Sequence, residues 1–233
     1  MGVLDNWVWD ALTGPQSDLA EGGGAARRYH PEVSPLVALP DAITPEAWDD
    51  LAALVGPDGR GVLIRAETVS LPRGWHELLR LPAVQMLAPS PQNRPSRAGP
   101  AAGGTTVERL GPDDVPAMLD LVANTEPGPF EARTIELGTY VGVRDGARLV
   151  AMAGQRVRPQ GFTEISAVCT LAEHRGRGLA GALVNWLVDE IHQRGDAAFL
   201  HAASSNATAI SRYRSLGFTV RREVQAVAFS VAH

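Results

Sequence analysis

From residue 105 onward, apolar runs with strand-like spacing alternate with runs of helical spacing. Residues 105–110 read as a short strand, and Asp113 and Asp114 lead a helix carrying Met118, Leu119, Leu121 and Val122. A polar loop with Pro127, Gly128 and Pro129 separates it from a second helix over 132–137. Segments 140–144 and 149–157 form a hairpin about the turn pair Asp145-Gly146. Residues 161–171 give the next strand. Leu179, Leu183, Leu187 and Ile191 then lie on one i+4 stripe, which predicts a helix over 178–193 with Gly195 as its C-terminal stop. A strand over 197–202 and a helix over 206–216 follow, the helix N-capped by Asn206 and stopped by Gly217. Residues 218–231 close the chain as one long strand or two short ones. The order is β-α-α-β-β-β-α-β-α-β.

The first part is patchier. A helix near 4–12, strands near 36–39 and 62–65, and a helix over 45–55 fit the pattern, with Thr44 as N-cap before Pro45 and Glu46. Gly22, Gly23 and Gly24 have no strand before them and no apolar helix after them, so they read as a flexible loop. Between the parts lies PSPQNRPSRAGPAAGG, residues 89–104, too rich in proline and glycine for a regular element. The expected division is an N-terminal α/β domain over 1–88, a linker over 89–104 and a second domain over 105–233.

Composition narrows the function classes. The chain is 45% hydrophobic and 20% charged, enough apolar residues for a packed core. A net charge of −5 gives no basic stripe for nucleic acid. Every basic residue is an arginine. Cys169 is the one cysteine, so no intramolecular disulfide forms and a reducing compartment fits. The first 13 residues hold no basic stretch, so they do not read as a signal peptide. The Met-Gly start lacks the Ser or Thr at position 6 that myristoylation needs. No apolar run is long enough to span a membrane. The expectation is a cytoplasmic protein, monomer or homodimer, without nucleic-acid or membrane partners.

The chemistry concentrates in ISAVCTLAEHRGRGLAGALVNWL, residues 165–187. A strand ends near Leu171, a turn of Gly and Arg follows, and a helix starts near Gly178. Free N–H groups and the positive end of the dipole at a helix start bind anions. Gly176, Gly178 and Gly181 let backbone and ligand approach closely. A P-loop is excluded because it needs a lysine. Gly176-x-Gly178-x-x-Gly181 matches a dinucleotide fingerprint in letters, but about 20 residues on stands 197–201, ending in His201 rather than an acid.

Arg175, Gly178 and Ala180 meet the Arg/Gln-x-x-Gly-x-Gly/Ala signature of the GCN5-related N-acetyltransferases. A second block, NATAISRYRSLGF, resembles that family's Asn-x-x-Ala…Tyr…Gly-Phe block through Asn206, Ala209, Tyr213, Gly217 and Phe218. The likeness covers residues 105–231 and is nearest to the subgroup with an FR47-like domain, related to glycine N-acyltransferases. It implies a mixed α/β sheet of the acyl-CoA N-acyltransferase fold, with residues 1–88 as a degenerate acetyltransferase-like half. It also implies acetyl-CoA as acyl donor.

On this resemblance the N–H groups of Arg177, Gly178, Leu179, Ala180 and Gly181 take the pyrophosphate, with Arg175 and Arg177 as charge partners and Gly176 in the turn. Main-chain groups of Val168, Cys169 and Thr170 pair with the pantetheine arm as an added strand would. Asn206, Ala209 and Tyr213 complete the cofactor site. Tyr213 is the candidate acid for the leaving thiolate, against a core tyrosine beside Ile210 and Leu216. Glu164 is the candidate base, against an exposed strand carboxylate. Ser166 shares its face and could position the acceptor. Glu126, Phe130 and Arg133 are candidate acceptor residues, Arg133 as a carboxylate fork or a solvated charge. Cys169 fits a buried strand position better than a nucleophile. His174 is expected at the surface and His201 buried at a strand end, and no metal-ligand spacing occurs. The activity implied is acetyl transfer to a primary amine of a small molecule, an amino acid among the options. The alternatives are a non-catalytic acyl-CoA-binding module and a protein N-acetyltransferase.

Overall fold

The computed structural model describes residues 2–93 and 106–231. Their strands form one sheet of β1 (Ala20–Glu21), β2 (Arg27–Tyr29), β3 (Leu36–Ala38), β4 (Arg60–Arg65), β5 (Trp75–Leu87), β6 (Glu108–Leu110), β7 (Tyr140–Asp145), β8 (Arg148–Gln155), β9 (Phe162–Thr170), β10 (Ala197–Ala203) and β11 (Thr219–Val231). The spatial order is β1-β2-β3-β4-β11-β5-β10-β9-β8-β7-β6. The helices are α1 (Trp7–Thr13), α2 (Pro45–Val55), α3 (Val115–Thr125), α4 (Leu179–Gln193) and α5 (Ala207–Ser215). The mixed α/β class expected from the pattern is present. Among the described residues, no helix is long and apolar enough to cross a membrane.

Local rules account for most elements. Thr44 accepts from the Ala47 N–H at 3.3 Å and starts α2. The stripe Leu179, Leu183, Leu187 and Ile191 is buried as its spacing requires. Gly195 stops α4 and Gly217 stops α5, both at positive φ. The expected second helix over 132–137 is only a 3-10 turn, Thr134–Leu137.

The expectations missed β5. Its sequence alternates poorly and contains Pro82, which normally excludes a central strand. The carbonyl of Pro82 accepts from Ser204 N–H at 2.9 Å, on the β10 side. In an antiparallel ladder the missing N–H points the same way, so the β11 ladder is intact. β10 pairs with β5 only as far as Ala203↔Ala83, so proline sits where that pairing ends.

The sheet is continuous across the expected linker. β5, from the first half, lies between β10 and β11 of the second. The 89–93 stretch contains a 3-10 turn, Pro91–Asn93, and the rest of the linker lies outside the described residues.

Candidate active site

β9 and β10 are parallel neighbours only from Ala197↔Phe162 to Leu200↔Ile165. Beyond that each keeps its outer partner: β10 follows β5 to Ala203↔Ala83, and β9 follows β8 to Thr170↔Ala151. The strands splay, and the inner edge of β9 over 166–170 has no β10 partner. Ala167 has φ +52°, and the β8–β9 register shifts between Met152 and Gly154. A bulge with a non-glycine residue in the left-handed region re-aims the backbone at this point. Val168, Cys169 and Thr170 therefore carry main-chain groups that an extended ligand chain could pair with. Cys169 is buried, and burial pushes its thiol pKa up, away from a nucleophilic role.

After β9 the chain makes a 3-10 turn, Ala172–His174, and enters the glycine loop. His174 is buried, not exposed as expected: its Nε2 lies 3.0 Å from Asp145 Oδ2, which ties the loop to the β7–β8 turn. Arg175 Nε donates to the Thr170 carbonyl at 3.2 Å. Gly176 and Gly178 have φ of +76° and +80°. A Cβ built on either would meet nothing, so the space above them is open. No side chain caps α4, leaving its first N–H groups and its positive dipole end facing that space. Leu179 is buried beneath, and Ala180 is half-buried. Gly181 differs: a Cβ there would meet the end of the Arg212 side chain, which would have to shift.

α5 begins at the same end of the sheet, since it follows β10 as α4 follows β9. Asn206 Oδ1 accepts from Ala209 N–H at 3.0 Å. The Tyr213 ring packs on Phe218 with centroids 5.9 Å apart. Burial pushes its phenol up to about 12, so it holds its proton at neutral pH. Its hydroxyl has no hydrogen-bond partner among the described residues.

Glu164 is placed differently from the expectation of a base or an exposed carboxylate. It is fully buried, held by the Arg156 guanidinium, and 2.7 Å from His201 Nδ1. Burial alone would raise its pKa, but Arg156 and His201 outweigh that and hold the carboxyl well below the usual range. So held, it is a poor proton acceptor. Ser166 sits at the apex of the splay, paired with Gly154, over which the Tyr140 ring lies.

Of the acceptor candidates, Phe130 is buried edge-on against Tyr140 at 5.6 Å. Glu126 is exposed at the end of α3. The Arg133 fork is already filled by Glu136 at 2.7 and 2.9 Å, with Glu32 at 3.7 Å. The structure thus gathers 164–170, 175–181 and 206–213 about the splay, and leaves Glu126 and Arg133 at the surface. Sequence reasoning missed Arg156, Gln85 and Trp7, which surround Glu164 and His201. An arginine inside the otherwise apolar hairpin strand was the one signal.

A splayed strand pair, an open glycine loop on a helix start and a phenol on the next helix fit an acyltransferase. Residues 140–227 match the family described as FR47-like protein. A crystal structure assigned to the GNAT acetyltransferases, from Novosphingobium aromaticivorans DSM 12444, is 39% identical, with TM-score 0.89 over 100% of both chains. The [Ribosomal protein bS18]-alanine N-acetyltransferase of Escherichia coli (strain K12) is 44% identical over 50% of this chain and 84% of its own length. The N-alpha-acetyltransferase RimI of Mycobacterium tuberculosis is 32% identical over 42% of this chain, which spans 65% of that relative. The chain belongs to the GCN5-related N-acetyltransferase (GNAT) family.

Proposed function

We propose that this protein moves an acetyl group from acetyl-CoA to the primary amine of a small molecule. The observation that carries the donor half is the bare β9 edge running directly into the open glycine loop. The residues fit the donor: nothing stands within reach of a Cβ built on Gly176 or Gly178, so an anion can approach the loop backbone there. Acetyl-CoA supplies an acyl group activated as a thioester. The N–H groups of 177–181 hold its pyrophosphate, with Arg175 and Arg177 as charge partners. Val168–170 main-chain groups align the pantetheine arm, and the start of α5 at Asn206 and Ala209 forms the facing wall. Tyr213 gives its phenolic proton to the departing sulfur.

The reading of a small acceptor is supported by what packs on the acceptor loop. Arg133 N–H donates to the Glu32 carbonyl at 3.2 Å, and Thr134 Oγ1 to the Val33 carbonyl at 2.8 Å. Gln16 Nε2 reaches the Arg156 carbonyl at 3.1 Å. Residues 16, 32 and 33 thus pack on the loop before β7 and on the segment just past β8, which supports a small amine as the acceptor. A second reading, a protein α-amine, is favoured by the likeness to the bS18-alanine enzyme. A panel of alkylamines, amino acids and an alanine-initiated peptide, with thiol detection, decides between them. Turnover of the peptide alone would replace the first reading by the second.

Tyr213→Phe tests the acid and the catalytic reading together. Turnover falls by about 10²-fold. Acetyl-CoA affinity, read by calorimetry, stays at the wild-type value. Unchanged turnover would remove the acid assignment.

A further inference from the structure

Arg212 stands on α5 one residue before Tyr213, and its side chain reaches across to α4. Its Nη2 lies beside the place that a Cβ of Gly181 would take, and its Cζ is 3.1 Å from that place. In a helix each Cα–Cβ bond tilts toward the N-terminus. The guanidinium therefore rests against the first turn of α4, whose third residue is Gly181. A Cβ is two bonds from its own backbone nitrogen. Arg212 thus neighbours one of the N–H groups that the start of α4 leaves without an intrahelical acceptor.

A cation at that point is repelled by the protein around it. The start of a helix is its positive end. The first turn of α4 carries no acidic residue to offset this. Arg144, Arg156 and Arg221 each close on a carboxylate. Arg212 closes on none among the described residues, and it is exposed rather than held by packing. The acids nearest the loop are engaged elsewhere, Asp145 by His174 and Glu173 by Arg148. Arg175 and Arg177 add two further exposed positive charges on the loop itself. An anion in the open space over Gly176 and Gly178 turns each of these repulsions into attraction. Gly181 fits the same purpose. Glycine inside a helix is less stable than alanine, and what it gives in return here is room for the guanidinium.

We propose that Arg212 is a further donor-binding residue, whose guanidinium takes a pyrophosphate oxygen of acetyl-CoA from the α5 side while the N–H groups of α4 take others, with Gly181 leaving the room for it. This rests on the acetyl-CoA reading above. A planar guanidinium presents paired N–H groups to phosphate oxygens, and it keeps its charge at every pH the protein meets. The donor carries two phosphate groups of this chemistry, the pyrophosphate and the 3′-phosphate. The pyrophosphate is assigned because Arg212 lies at the helix start, beside the N–H groups of the cradle.

The test uses three donors: acetyl-CoA, its form without the 3′-phosphate, and S-acetylpantetheine, which has no phosphate. Arg212→Gln weakens calorimetric binding of acetyl-CoA by about 10-fold or more, and that of the form without the 3′-phosphate by the same factor. KM for acetyl-CoA rises in step while kcat holds, and kcat/KM with S-acetylpantetheine is spared. Arg212→Lys recovers part of the affinity. Gly181→Ala displaces the guanidinium and loses a similar factor, although its melting temperature holds or rises, alanine being the better helix former. In the Arg212→Gln background it costs nothing more. A loss confined to the donor that carries the 3′-phosphate overturns the pyrophosphate assignment. An equal loss with S-acetylpantetheine overturns any phosphate contact. Wild-type affinity in Arg212→Gln overturns the role of Arg212 and leaves the cradle standing. Wild type that binds no acetyl-CoA overturns the donor reading itself.

Discussion

Gly178→Glu abolishes acetyl-CoA binding while leaving the chain folded. Gly178 is the N-cap of α4 at φ +80°, and a Cβ there meets open space rather than protein. The left-handed backbone costs a side-chain-bearing residue about 1–2 kcal/mol, and a chain of this size loses roughly 2–4 °C per kcal/mol. The new carboxylate, however, stands where the phosphate oxygens must sit. At least two charge-assisted N–H bonds, each worth about 1.5–3 kcal/mol, are forfeited, and like charges repel. Affinity falls by at least ~10²-fold, well over what the strain alone produces. Calorimetric titration with acetyl-CoA reads this. Gly178→Ala separates the two effects, since it carries the same backbone strain without charge and with little bulk, and it keeps most of the affinity. Binding by the glutamate variant within a few-fold of wild type would remove this loop as the pyrophosphate cradle.

That loop was legible because its determinants are local. The α4 stripe, the glycines of the turn, the Asn206 cap and the Gly217 stop each act over a few residues, and each is found where spacing put it. β5 was not legible, because what makes it a strand is its neighbours. Leu79 and Leu81 on it remain exposed, so no apolar alternation marks it, and its place between β10 and β11 depends on pairing with residues far along the chain. The same holds at the site. Glu164 reads in sequence as a strand carboxylate of open use. Its fate is set by His201, 37 residues away, and by an arginine just past the end of β8. His174 looked exposed because its partner Asp145 lies 29 residues earlier. Side-chain identity along one strand shows which groups are present, while the splay of two strands decides which of them face the cleft.

Glu164→Ala lowers stability by about 3–5 kcal/mol, because it leaves the Arg156 guanidinium without its counter-charge in a largely buried site. For a chain of this length that is a fall in melting temperature of roughly 6–20 °C. The pH dependence has a definite sign. The folded-state pKa of Glu164 is depressed from 4.5 to about 2. A depressed carboxylate contributes stability that is fully present above its unfolded value and is lost as pH falls through the folded one. The gap between wild type and variant is therefore flat near neutrality and closes in acid, from pH 4.5 toward about 2. Thermal melts followed by circular dichroism across that range measure it. Adding Arg156→Met to the alanine variant removes the orphaned charge and recovers part of the loss at neutral pH, as replacing both members of a buried pair commonly does. A gap that stays constant down to pH 2 would mean that packing, not charge, is what Glu164 contributes.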